Sequence, residues 1–208
     1  MFAFLLSAIA ISLSGVMAPG PITAATLAAG ARSRHAGALI ALGHAVVEMP
    51  LILLLAAGIG TFLKSPAVKA GIGLAGGIVL VLMGAQLLLS LRRCKTDSEA
   101  TVQRRPFMTG VVLTGANPYF LFWWATVGLA LATQATKYGT VALIAFGVVH
   151  WLCDLGWLEV LSWSGFRSSQ AFGLRSQKVV SIICAIVLLG FGLKFLYEAG
   201  ISLLPPTS

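Results

Sequence analysis

Residues 2–30 read FAFLLSAIAISLSGVMAPGPITAATLAAG, and residues 107–136 read FMTGVVLTGANPYFLFWWATVGLALATQAT. Neither stretch contains a charged residue, and each has helix breakers near its middle: Pro19-Gly20-Pro21 in the first and Asn117-Pro118 in the second. At about 1.5 Å per residue, either stretch as one straight helix would exceed the ~30 Å hydrocarbon core of a bilayer. Because proline removes a backbone donor and clashes with the preceding turn, the sequence predicts two membrane helices that are broken within the bilayer.

The composition of the 208-residue chain also indicates a membrane protein. Hydrophobic residues make up 58% of it and charged residues only 10%, whereas soluble domains are about a quarter charged. These values exclude a water-soluble enzyme, a disordered chain and a disulfide scaffold. We expect the first apolar run to be retained rather than cleaved as a signal peptide, because no basic residue precedes it. Six apolar runs have membrane-spanning length, at residues 2–30, 37–62, 68–91, 107–136, 139–163 and 179–196.

The basic residues are distributed unevenly between the two ends of these runs. Of the 14 Lys and Arg residues, four lie on the side of the termini and the others lie in the loops after the first, third and fifth runs. The positive-inside rule places those loops in the cytoplasm and both termini outside it. We therefore attribute the net charge of +8 to membrane anchoring and expect no nucleic-acid partner. The loop residues are Arg32, Arg34, Arg92, Arg93, Lys95, Arg104, Arg105, Arg167, Arg175 and Lys178.

A polar segment at 92–106, RRCKTDSEATVQRRP, divides the six runs into two groups of three. An odd number of spans per half gives the halves opposite orientations. The sequence therefore predicts an all-α polytopic membrane protein with six transmembrane helices as two inverted three-helix repeats, in which the first and fourth helices are broken. The repeats are 1–91 and 107–208, joined by a cytoplasmic linker at 92–106. Broken helices in corresponding positions of two halves are typical of a transport site.

Two pairs of ionisable residues lie within the apolar runs at the same spacing. His44 and Glu48 are four residues apart in the second run, and His150 and Asp154 are four residues apart in the fifth. Residues at i and i+4 lie on one face of a helix, so each half is predicted to place an imidazole beside a carboxylate. Charged groups inside a membrane are costly, and we interpret these pairs as functional.

This set of side chains suits three kinds of chemistry. It could bind a cationic group such as an amine, relay protons through histidine, or ligate a divalent metal, since imidazole and carboxylate suit zinc, manganese or nickel. Packing by an internally satisfied pair is the alternative without function. The sequence has no motif for a nucleotide, a catalytic metal, a redox dithiol or a nucleophilic serine. It therefore predicts neither an enzyme nor a cofactor.

Other features carry less information. Glu159 could line the cytoplasmic vestibule or extend its carboxylate to the membrane surface. The aromatic residues after the Asn-Pro break could stack on a cation or simply pack. Gly73, Gly77 and Gly84 predict close helix contact, either within one subunit or between subunits.

Two segments carry a resemblance to a known family. Residues 17–46, MAPGPITAATLAAGARSRHAGALIALGHAV, and residues 110–128, GVVLTGANPYFLFWWATVG, resemble the Pro-Gly-Pro and Asn-Pro motifs of the LysE/RhtB family of amino-acid exporters. The length and six-span plan are similar as well. The chain departs from that pattern at Ile22 and Tyr119, where family members often have polar residues. The resemblance implies a LysE-like translocator of amino acids or related metabolites.

Together these features predict a secondary transporter in the plasma (inner) membrane that exports an amino acid or related small metabolite, coupled to protons or another ion. The predicted binding residues are Glu48, Asp154, His44, His150, Pro19, Gly20, Pro21, Asn117 and Pro118. A divalent metal exporter, in which the two histidines and two acids are the ligands, is the first alternative. A membrane scaffold without transport is the second. The expected partners are a small-molecule substrate, the lipid bilayer and, as a homodimer, a second copy of the chain.

Overall fold

The computed structural model describes residues 1–58, 65–92 and 105–203, without the side chains at 90–92, 172–177 and 203. All secondary structure within these ranges is helical. Most of the predicted linker, residues 93–104, lies outside the described residues. The helices are α1 Phe2–Val16, α2 Pro21–Gly30, α3 Ala36–Ala56, α4 Pro66–Arg92, α5 Pro106–Gly115, α6 Pro118–Trp123, α7 Leu129–Lys137 and α8 Thr140–Leu203, with a π-helical segment at Trp124–Gly128.

Four helical stretches are long and apolar enough to cross a membrane: Ala36–Ala56, Pro66–Leu89, Thr140–Ala171 and Lys178–Ser202. The bent pair α1 and α2 makes a fifth if it counts as one span. Less than half of each stretch is buried inside the protein, and large apolar side chains such as Val141 and Leu53 are exposed. An apolar surface of this kind is suited to contact with lipid rather than with water.

Both predicted helix breaks are present. α1 ends at Val16, α2 begins at Pro21, and the two helix axes differ by 79°. In the fourth apolar run, α5 ends at Gly115 and α6 begins at Pro118, since the extended backbone of Asn117 interrupts the helix. The π-helical segment at Trp124–Gly128 was not predicted. Segments of this type insert one extra residue into a helix and are frequent at functional sites.

The two membrane-length stretches of α8 do not continue in a straight line. Asp154 in the first stretch and Phe191 in the second line the same cavity, whereas a straight helix would separate them by about 55 Å. The stretch Lys178–Ser202 packs against α4, where the glycines at 73, 77 and 84 meet Ala199, Leu196 and Leu189. The close helix contact that these glycines predicted is therefore formed within one chain.

Glycines also allow the closest helix contacts around the centre of the bundle. A Cβ atom on Gly43 would collide with the carbonyl oxygen of Phe107, and one on Gly110 with that of Ile40, so α3 and α5 touch through their backbones. Gly30, Gly37 and Gly165 form similar contacts between α8 and the end of α2 and start of α3. Large side chains fill the opposite half of the bundle, where Phe4, Leu55, Trp124 and Phe146 form one apolar cluster.

We predict that Gly43→Ala destabilises the protein, because the added methyl group meets backbone atoms that cannot rotate away. Overpacking of this kind costs about 1–3 kcal/mol. Gly156→Ala is the matched control, since nothing lies within 4 Å of a Cβ atom placed there. Thermal unfolding in detergent should show a lower midpoint for Gly43→Ala only. Equal midpoints for the two variants would contradict the close contact between α3 and α5.

Candidate functional site

The two predicted histidine–carboxylate pairs meet at one place in the bundle. We call His44 and Glu48 of α3 and His150 and Asp154 of α8 the quartet. Glu48 Oε1 lies between the two imidazoles, 2.9 Å from His44 Nε2 and 3.2 Å from His150 Nε2. Asp154 lies beside it, with Oδ1 3.8 Å from His44 Nε2 and Oδ2 3.5 Å from His150 Nε2. The spacing of four residues places the two members of each pair side by side on one helix. The packing of α3 against α8 then brings the two pairs together.

All four side chains are buried. The exposed fraction is 0% for Glu48, 3% for His150 and 6% for both His44 and Asp154. Acidic residues are almost never buried to this extent unless they are paired, because removing a charge from water is expensive. The mutual proximity of the quartet is therefore what makes its burial possible.

Each imidazole is oriented by a hydroxyl group from the other half of the chain. His44 Nδ1 lies 2.8 Å from Thr114 Oγ1 of α5. His150 Nδ1 lies 2.7 Å from Ser12 Oγ of α1. Both hydroxyls sit on the helix that precedes a break. These bonds fix the ring orientations and direct both Nε2 atoms at the carboxylates.

The hydroxyl of Thr114 also determines which nitrogen of His44 carries a proton. Thr114 Oγ1 donates its hydrogen to the Gly110 carbonyl oxygen at 2.6 Å. It must therefore accept from His44 Nδ1–H, which directs Nε2 of that ring at Glu48. Two bare lone pairs at 2.9 Å would repel one another, so the contact between His44 and Glu48 needs a proton or another cation.

The carboxylates have further binding capacity. Glu48 Oε2 and Asp154 Oδ2 are buried and make no hydrogen bond with any described residue. Buried acceptors without partners are rare and costly. The quartet is therefore incomplete by itself and is suited to receive a positively charged or hydrogen-donating ligand.

Aromatic rings enclose the two histidines. The ring of Phe120 meets His44 edge to face with centroids 5.2 Å apart, and Trp124 meets His150 in the same way at 5.0 Å. Trp123 lies 5.4 Å from His150. The π-helical segment begins at Trp124, which is almost fully buried. These rings lower the local polarity and so strengthen electrostatic interactions in the site.

A cavity of about 330 Å³ connects the quartet with the helix breaks. Pockets for small molecules are usually about 300–1,000 Å³. Its lining includes the exposed residues Tyr119 and Lys194. The cavity thus reaches from the protein surface to the buried quartet.

The structure brings most of the predicted site residues to this cavity. All four quartet residues line it, together with Pro19, Gly20, Pro21 and Asn117. Pro118 is not among the lining residues. Its ring instead lies against Gly76 of α4. A Cβ atom added to Gly76 would be 3.2 Å from Pro118 Cδ.

The N-terminus of α2 adjoins the cavity at the first break. α2 starts at Pro21 without a side-chain cap, and Gly20, Pro21 and Ile22 all line the cavity. The first N–H groups of a helix have no acceptor within it and carry partial positive charge. At the second break, Asn117 Oδ1 already accepts the N–H of Tyr119 at 3.1 Å. The first break is therefore the better place for an anionic group.

Glu159 does not extend its carboxylate freely to the membrane surface. Its Oε2 accepts the backbone N–H of Ala38 at 2.9 Å, and its Oε1 lies 2.6 Å from His35 Nδ1. One turn further along α8, Ser162 Oγ donates to the carbonyl oxygens of Ser33 and Arg34. These polar contacts attach α8 to the turn between α2 and α3.

Several residues at the site were not singled out from the sequence. Ser12 and Thr114 were overlooked because hydroxyls within apolar runs usually bond to their own helix. Their position before each break is the signal that could have identified them. Lys194 lies 3.7 Å from Glu198, one turn further along α8, and nothing in its local sequence indicates that it lines the cavity.

We predict that Thr114→Val destabilises the protein by about 1–3 kcal/mol, because it leaves the buried Nδ1–H of His44 without an acceptor. Valine has nearly the same shape as threonine, so the loss is mainly polar. Thr126→Val is the control, since Thr126 is exposed and bonds only within its own helix. Thermal unfolding of both variants in detergent measures the difference, and a neutral Thr114→Val would contradict the role of this hydroxyl.

Comparison with known proteins gives a family. The model of the LysE type translocator family matches residues 13–199. No curated protein and no solved structure matched the chain. The matched region includes both helix breaks and the entire quartet, and a translocator is consistent with the expectation that the chain is not an enzyme. The chain is a multi-pass membrane protein that belongs to the LysE type translocator family.

Proposed function

We propose that this chain is a secondary transporter that exports an amino acid or a related amine-bearing metabolite across the plasma (inner) membrane, coupled to protons. One observation carries the proposal: two carboxylates and two imidazoles converge at the buried end of a cavity that both helix breaks adjoin. Substrate sites of secondary transporters typically lie between such breaks. A scaffold without transport would have no reason to bury two carboxylates beside a cavity.

In this proposal the quartet receives the ammonium group of the substrate. An ammonium group has donors for several oxygens at once, and Glu48 Oε2 and Asp154 Oδ2 are buried without a hydrogen bond to any described residue. The aromatic rings of Phe120, Trp123 and Trp124 add favourable contacts with a cation. The polar residues that family members often have at the positions of Ile22 and Tyr119 are thus replaced in function by the quartet.

The other end of the cavity suits a carboxylate. Lys194 and the first turn of α2 both line it, and each offers positive charge to an anion. A zwitterion would therefore find opposite charges at the two ends. This arrangement favours an amino acid over a simple amine.

Proton coupling would follow from the same contacts. The contact between His44 and Glu48 needs a cation, and an arriving ammonium group can supply one. Substrate and proton would then occupy the quartet alternately, which ties the movement of one to the movement of the other. Release of the proton to one side and substrate to the other is the exchange expected of an exporter.

The six-span inverted repeat is part of this proposal. In it α1 and α2 form the first span, α5 to α7 form the fourth, and the two stretches of α8 form the fifth and sixth. The repeats are 1–91 and 107–208, joined by the cytoplasmic linker 92–106, with both termini outside. The matched bonds of His44 to Thr114 and of His150 to Ser12 support it, because a two-fold axis in the membrane plane would exchange them.

Alternating access would come from one repeat rocking against the other. In the proposed topology, the contacts of Gly30, Gly37 and Gly165 and the bonds of Glu159 and Ser162 lie in the cytoplasmic half. The cluster around Phe4 and Phe146 lies in the outer half. The quartet lies between these two regions. Opening toward the cytoplasm would break the contacts of α8 with the turn between α2 and α3.

The double variant Glu48→Gln, Asp154→Asn should lose export by more than about 100-fold, because it removes two charge-assisted contacts worth about 1.5–3 kcal/mol each. The measurement is efflux of a panel of labelled amino acids from proteoliposomes, with and without a pH gradient. Glu99→Gln, in the linker, is the control and should export normally. Wild-type efflux by the folded double variant would overturn the proposed function.

Lys194→Met should discriminate between substrates. We expect the half-saturating concentration of the transported amino acid to rise about tenfold or more, since a charged partner of the carboxylate is lost. The corresponding decarboxylated amine should be unaffected. Lys178→Met, at an exposed position in α8, should change neither value. An equal effect of Lys194→Met on both compounds would rule out recognition of the carboxylate by Lys194.

A further inference from the structure

We propose that the quartet binds one divalent transition-metal ion, of the class represented by Zn²⁺ and Co²⁺, through His44, His150, Glu48 and Asp154. The ligand atoms are the two Nε2 atoms and one oxygen of each carboxylate. This concerns the same residues as the proposed function but does not depend on it, because binding is measured without transport.

The ligand atoms already have nearly the right separation. A tetrahedral site with bonds of about 2.0–2.2 Å places neighbouring ligand atoms about 3.3–3.6 Å apart. In the quartet, Glu48 Oε1 lies 2.9 Å from His44 Nε2 and 3.2 Å from His150 Nε2. Asp154 turns one oxygen to each histidine, Oδ1 at 3.8 Å from His44 Nε2 and Oδ2 at 3.5 Å from His150 Nε2. Suitable atoms of His44, Glu48 and Asp154 all lie within 4.8 Å of one another. His150 Nε2, 3.2 Å from Glu48 Oε1, would supply the fourth donor once the side chains adjust around the ion.

The groups around the ligands match those of metal sites. Histidines that bind metals generally donate their other ring N–H to an oxygen, which fixes the ring and its tautomer. His44 Nδ1 does this with Thr114 Oγ1 at 2.8 Å, and His150 Nδ1 lies 2.7 Å from Ser12 Oγ. The buried carboxylate oxygens without hydrogen bonds offer further coordination.

The chemistry of the donors selects the ion. Two imidazoles and two carboxylates suit zinc, cobalt, nickel or manganese, whereas magnesium and calcium prefer all-oxygen sites. Two carboxylates also balance the charge of one divalent ion. When the ion binds, the protons held between the imidazoles and carboxylates leave. The ion brings two positive charges, and up to two positive charges leave as protons.

The experiment uses the full chain in detergent without a polyhistidine tag. Isothermal titration with Zn²⁺, in buffers that differ in ionisation enthalpy, gives the stoichiometry and the number of protons released. Titration with Co²⁺ reports tetrahedral coordination by its visible absorption. We expect one ion per chain, proton release, and no binding of Mg²⁺.

Variants assign the ligands. His150→Gln and Glu48→Gln should lose binding at least 100-fold while retaining the helical circular dichroism of the wild type. Thr114→Val should weaken binding about tenfold through its effect on His44. His35→Gln is the matched control, since His35 is exposed and outside the quartet, and it should bind as wild type.

A measurement on the wild type needs no variant. X-ray absorption of the zinc-loaded protein should give two imidazole nitrogens and two oxygens at about 2.0–2.2 Å. Absence of saturable binding, binding that survives the quartet variants, or binding that is lost in His35→Gln would overturn the proposal. Wild-type export by the Glu48→Gln, Asp154→Asn variant would overturn the proposed function without changing any of these binding results, so the two proposals fail separately.

Discussion

The contact of Glu48 with both histidines is the interaction on which the arrangement of the bundle depends. A fully buried carboxylate in a membrane protein needs positive charge or hydrogen donors nearby. His44 can supply this from the same helix, but His150 must be brought from α8. The backbones of α3 and α8 are therefore required to approach one another at this level. Glycines at 30, 37 and 165 permit close contact on one side of that level.

The sequence was sufficient to predict the elements that follow from local rules. Long uncharged runs interrupted by proline gave the two broken helices, and the spacing of four residues gave each histidine its carboxylate neighbour. These predictions depend only on helix geometry and on the chemistry of proline. The family resemblance was likewise confirmed, because the LysE type translocator model matches residues 13–199, which include both motifs.

Features that depend on packing between helices could not be predicted. The distance between the two pairs, the hydroxyl partners Ser12 and Thr114, and the position of Lys194 all require the relative rotation of helices that are far apart in sequence. Glu159 gives another example. Its local surroundings suggested a side chain at the membrane surface, whereas His35 in the turn before α3 and the backbone of Ala38 in the first turn of α3 supply it with two partners.

Each histidine of the quartet bonds to a hydroxyl from the other half of the chain, and this bears on how such a centre can be assembled. Residues 1–91 contain one hydroxyl, one imidazole and one carboxylate of the set, in Ser12, His44 and Glu48, and residues 107–208 contain an equivalent set. Neither half can orient its own histidine, yet two antiparallel copies of either half would together contain every required group. In the proposed inverted repeat, a chain of only three spans would already hold every group of this centre once it paired with a second, antiparallel copy.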